Sequence, residues 1–119
     1  MRAALLVGGW LYAAALVWLS LSPSTPDPGL EYGDKLGHFF AYGVLMFWFC
    51  FLYRSRNTRL AYGAGWIFLG VAIEFAQGAT GYRSFELADM AANALGVVAG
   101  ALAALSLTRA AAAAGTETR

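Results

Sequence analysis

The chain has 119 residues, of which 60% are hydrophobic, 13% are charged and one is a cysteine, and its formal net charge is +1. A soluble domain carries roughly 25% charged residues, and one this small has too little interior to hide so much apolar surface. Those figures exclude a soluble globular domain, a disordered chain and an internal disulfide, and they give no basic excess that would call for a nucleic-acid partner.

Taken in chain order, four stretches are long and apolar enough to cross a hydrocarbon core of roughly 30 Å. The first, residues 3–22, has no charge. Its length exceeds the roughly 7–15 apolar residues of a secretory signal and no A-x-A site precedes Pro23, so it reads as a retained span. Residues 22–29 hold all three prolines and cannot continue a helix. The second stretch, residues 36–53, contains the lone histidine, His38. A short basic turn, RSRNTR, leads to the third, residues 60–78, which carries Glu74 and Gln77 near its end. After a link broken at Gly81, the fourth covers residues 89–107 and opens with Asp89 and Asn93. Residues 110–119 form an alanine-rich tail beyond a membrane domain of residues 1–109. Each span must be helical, because lipid cannot satisfy open backbone groups. The expected fold is therefore an all-α, polytopic four-helix membrane bundle.

Orientation follows from the basic residues. Arg2, Arg54, Arg56, Arg59, Arg109 and Arg119 fall on one side, and Lys35 and Arg83 on the other. The first side is expected to be cytoplasmic, with both termini inside and the proline-rich loop outside.

The polar residues inside the spans are one-sided in depth. Glu74 lies about 8 Å from the outer end of the third span and Asn93 about 6 Å into the fourth, at 1.5 Å per helical residue. Asp34 and Lys35 mark the mouth of the second span, with His38 a turn deeper. They are also one-sided in direction. Asp34, His38 and Tyr42 fall on one helical stripe, Gly70, Glu74 and Gln77 on another, and Asp89, Asn93, Gly96 and Gly100 on a third. The last stripe joins a polar pair to a G-x-x-x-G, which lets helices approach closely. A charge at mid-membrane costs roughly 2.5–3.5 kcal/mol on insertion scales, so these groups are expected to face protein and to mark a functional site.

The ordered set Asp34-Lys35-x-x-His38-x-x-x-Tyr42-x-x-Leu45, Glu74-x-x-Gln77 and Arg83-x-x-Glu86-x-x-Asp89-x-x-x-Asn93-x-x-Gly96-x-x-x-Gly100 resembles the VanZ-like family of small bacterial membrane proteins. The resemblance covers residues 34–100. It implies residence in the bacterial cytoplasmic membrane and an association with low-level resistance to the glycopeptide teicoplanin, and it supplies no reaction.

Three readings follow. In the first, Asp34, Lys35, His38, Tyr42, Glu74, Gln77, Arg83, Asp89 and Asn93 form an outward-facing pocket for a lipid-linked or peptidoglycan-related ligand, with Lys35, Arg83 and His38 holding phosphate or carboxylate. In the second, His38, Glu74 and Asp89 perform acid–base catalysis on an envelope lipid. One histidine with no nearby thiolate is a poor zinc site, so neither metal nor other cofactor is expected. In the third, the cluster only fixes helix register, with Asn93 pairing Gln77 and Glu74 meeting Arg83 or His38. Membrane lipids are the expected surroundings throughout.

Overall fold

Each apolar run closes its own backbone hydrogen bonds because hydrocarbon provides no others, and the computed structural model accordingly contains four long helices. It describes residues 1–23, 33–81 and 85–117, the side chains of residues 33, 34, 116 and 117 excepted. The elements are α1 (Arg2–Leu21), α2 (Gly33–Leu52), α3 (Arg56–Ala79) and α4 (Leu87–Glu117), and no strand occurs among the described residues. The 20 residues of α1 rise about 30 Å, the thickness of the hydrocarbon core. All four helices are long and apolar enough to span a membrane. Their outward faces carry large apolar side chains, such as Phe40, Phe51 and Phe68, that only lipid would solvate.

The helix ends differ from the sequence expectation in an instructive way. The basic segment RSRNTR is mostly helix, not turn: Ser55 caps α3 and accepts a bond from the Thr58 N–H, so α3 begins at Arg56. Arg59, one turn into α3, folds back over the end of α2. Its Nε donates to the Tyr53 carbonyl at 2.6 Å and its Nη2 to the Cys50 carbonyl at 2.6 Å. These are acceptors that the end of α2 leaves without an intrahelical donor. At the other end of α3, Gly81 takes φ +81 just past the cap residue Thr80, a left-handed stop that suits glycine. Helix α4 continues through Glu117, so most of the alanine-rich tail extends it as helix.

Consecutive helices are antiparallel. Trp48 near the end of α2 donates from its indole nitrogen to the Leu5 carbonyl near the start of α1, and Gly63 of α3 lies against Val97 of α4. The closest approach is nevertheless between two parallel helices, α2 and α4. A Cβ placed on Gly96 would strike the Phe39 carbonyl, and one on Gly100 the Gly43 carbonyl. With hydrogen alone at these positions and at Gly43, the two backbones touch directly. Helix α3 packs across this pair, while α1 contacts α2 and α3 but does not reach α4 among the described residues. Leu45, Met46, Phe49, Cys50, Ile73 and Val97 fill the interior.

Near the basic end, Trp10, Phe49, Tyr62 and Trp66 make edge and tilted ring contacts. Tyr53 stacks on Tyr62, and the Arg2 guanidinium lies 5.1 Å from the Tyr53 ring centre. The tryptophans Trp10 and Trp66 are therefore packing residues as much as interfacial ones.

Candidate functional site

The polar stripes meet at the end of the bundle where α2 and α4 begin and α3 ends. Lys35, in the first turns of α2, places its Nζ 2.7 Å from Glu86 Oε2 and 3.5 Å from Asp89 Oδ1. The parallel α2–α4 pair makes this possible, because both helices start at the same level. One and two turns deeper on the same face of α2 stand His38 and Tyr42, the latter almost fully buried.

Glu74 is the most enclosed charge-bearing residue described, with no exposed surface. Its Oε1 accepts a 2.6 Å bond from the backbone N–H of Glu86. Glu86 directly precedes α4, and its own carbonyl accepts from Met90 N, the first turn of that helix. The carboxylate thus sits at the positive end of α4, where unpaired N–H groups favour negative charge. It lies within electrostatic range of Asp89, His38, Glu86 and Tyr42.

One turn on, Gln77 is equally buried but does different work. Its Nε2 donates at 2.7 Å to the carbonyl of Ser20, one residue from the end of α1. That carbonyl has no intrahelical donor, so Gln77 satisfies it and ties α1 to α3. Asn93 of α4 is 2% exposed and packs on Gly70 of α3, where an added Cβ would come within 3.1 Å of the Asn93 side chain.

The structure therefore brings Lys35, His38, Tyr42, Glu74, Gln77, Asp89 and Asn93 to one end of the bundle. The Asp34 side chain and Arg83 lie outside the described residues. Two pairings expected of a purely structural network come out differently: Gln77 binds the Ser20 carbonyl rather than Asn93, and Glu74 binds the Glu86 N–H rather than His38, its alternative partner Arg83 lying outside the described residues. In both cases a backbone group at a helix end outcompetes a side chain because it would otherwise be an orphan in a dry setting. The Lys35 ammonium lies between two carboxylates. Sequence reasoning missed Ser20 as a partner and Glu86 as the donor to Glu74. A backbone carbonyl or N–H has no residue-specific signal, and only the position of Ser20 and Glu86 at helix ends could have pointed to them.

Four polar atoms in this cluster are buried without a hydrogen-bond partner: His38 Nδ1, Tyr42 Oη, Glu74 Oε2 and Asn93 Oδ1. They come from three different helices. Leaving such an atom unsatisfied costs roughly 1–3 kcal/mol, more for a charged group. The carboxamide oxygen of Asn93 and, when ionised, the carboxylate oxygen of Glu74 are acceptors only, and the other two can accept or donate. Among the described residues, no three His, Cys, Asp or Glu side chains converge to hold a metal ion.

Comparison with known proteins puts this arrangement in context. The VanZ/LLP1 family model matches residues 9–108. The chain belongs to the VanZ-like family. Helices α2 and α3, most of α1 and α4, and every described polar group of the cluster fall within the matched segment. The chain is also similar to an uncharacterized protein of the fission yeast Schizosaccharomyces pombe, 37% identical over 82 residues, which are 66% of this chain and 49% of the relative. The match thus spans about half the length of that relative. No solved structure matches the chain.

Proposed function

We propose that this VanZ-like protein binds a component of the cell envelope, lipid-linked or otherwise membrane-held, through the polar cluster of α2, α3 and α4. On this reading it resides in a bacterial cytoplasmic membrane with the cluster facing outward, and binding lowers susceptibility to glycopeptides such as teicoplanin. The outward orientation rests on the six-to-two asymmetry of basic residues. The drug phenotype rests on family membership.

The observation that carries the reading is the set of four buried, unpartnered polar atoms converging from three helices. A network serving register alone would close on itself, as the Gln77–Ser20 and Lys35–Glu86 contacts do. Here one oxygen of Glu74 is anchored and the other is left over.

The test is expression of the full chain and its variants in a teicoplanin-sensitive bacterium, with membrane levels measured alongside. His38→Ala, Glu74→Ala and Asn93→Ala are expected to abolish any gain in teicoplanin tolerance while the protein still accumulates. Loss of the protein in all three would favour a structural network. Turnover of labelled lipid-linked precursors beyond one equivalent by purified protein would replace binding with catalysis.

A further inference from the structure

The leftover atoms and the shape of the bundle beside them narrow the ligand. Three carboxylates (Glu74, Glu86 and Asp89) stand with Lys35 and His38 among the described residues, and Lys35 is held by Glu86 and Asp89. The open positions on Glu74 and Asn93 are acceptors. They suit a group that donates hydrogen bonds and carries positive charge, and they do not suit a bare phosphate.

Beside His38, a groove of about 310 Å³ runs between α1 and α2. Its lining is graded along the membrane normal. Ser20 and His38 are at the level of the cluster, Leu16 and Leu19 lie next, and Ala15 and Tyr12 follow deeper in the bundle. From Ser20 to Tyr12 the helix rises about 12 Å. A channel for a soluble ligand would be polar along its length, whereas a polar end followed by an apolar run matches the build of a lipid. Helix α1 leaves room for this. Its close packing on α2, with Gly9 and Trp10 against Trp48 and Phe49, lies beyond the groove; along the groove Tyr12 donates to the Ala41 carbonyl, while Leu19 and Ala15 stay exposed.

Building on the function proposed above, we infer that the ligand is a membrane lipid with an ammonium-bearing headgroup, admitted sideways between α1 and α2. The ammonium meets Glu74 and Asn93, and an acyl chain lies along Leu16 and Leu19. His38 is the residue that the groove lining and the cluster share. Ammonium-bearing phospholipids occur in bacterial and yeast membranes alike, which fits a chain similar to a fission yeast protein.

The test uses the purified full chain in detergent, with lipid retention read by native mass spectrometry. Phosphatidylethanolamine has three N–H donors on its headgroup, phosphatidylcholine of the same acyl chains has none, and glycerophosphoethanolamine has the headgroup without chains. The expected result is retention of phosphatidylethanolamine about tenfold stronger than of the other two, a difference of about 1.4 kcal/mol. Ala15→Phe and Leu19→Trp fill the groove from exposed positions and should weaken that retention about tenfold without lowering the unfolding temperature. Glu74→Gln and Asn93→Ala should remove the preference over phosphatidylcholine. Equal retention of the two phospholipids by the native chain overturns the ammonium assignment. Undiminished retention by both groove variants, with loss in the cluster variants, overturns lateral entry but leaves the proposed function standing. Undiminished preference in Glu74→Gln and Asn93→Ala moves the site elsewhere and overturns both.

Discussion

Glu74 presents its two carboxylate oxygens to different neighbours, and that asymmetry can be tested by substitution. Oε1 accepts the Glu86 N–H at the start of α4, while Oε2 is open. Glu74→Gln keeps an oxygen for the anchoring bond, so the fold should hold within about 1 kcal/mol while ligand-dependent behaviour is lost. Glu74→Leu leaves the Glu86 N–H without its acceptor in a dry site and should cost about 1–3 kcal/mol, read as a lower unfolding temperature in detergent. Arg59 is the corresponding residue at the opposite end. Its bonds to the Cys50 and Tyr53 carbonyls close the end of α2, and Arg59→Met should cost about 1.5–3 kcal/mol by the same measurement. The depth and facing of Glu74 and Asn93 were legible from residue counts and i, i+4 spacing. The destinations of Gln77 and Arg59 were not, because both end on main-chain carbonyls whose residue identity is irrelevant to the bond.

At the scale of the elements, the α2–α4 contact sets the geometry of the cluster. These helices start level and run parallel, so Lys35 can lie between Glu86 and Asp89. Gly96 has the Phe39 carbonyl against it with no room for a methyl group. Gly96→Ala should therefore force the helices apart, destabilise the bundle by about 1–3 kcal/mol and weaken ligand retention together with stability. Leu95→Ala, on the lipid-exposed neighbour position, should change stability by no more than about 0.5 kcal/mol. Unfolding in detergent separates the two outcomes. The small-residue stripe on α4 was visible from Gly96 and Gly100, but its partner was not. Periodicity states which residues share a face of one helix and is silent on which helix stands opposite. Gly43, between Tyr42 and Val44 in the sequence, belongs to no small-residue repeat, and only its carbonyl against Gly100 reveals its role.

For the whole molecule, composition and the placement of basic residues carry the topology. With six Lys or Arg on one side and two on the other, the end bearing Arg54, Arg56 and Arg59 should face the cytoplasm. Asn57 and Ala79 are exposed at opposite ends of α3. In a Cys50→Ala background, a membrane-impermeant maleimide applied to intact cells should label Ala79→Cys and not Asn57→Cys. The reverse pattern would invert the orientation and place the cluster on the cytoplasmic side.

Four spans, their helical state and the one-sided depth of the polar residues were all determined by the order of amino acids. Each of these properties belongs to a single segment in contact with lipid: hydrocarbon selects apolar length, enforces helix formation and penalises charge by depth. The parallel α2–α4 pair, the anchoring of Glu74 by the Glu86 N–H, the capture of the Ser20 carbonyl by Gln77 and the groove beside His38 were decided only by tertiary structure. These features arise where faces of different helices meet, and which faces meet depends on packing between backbones that the linear pattern does not record.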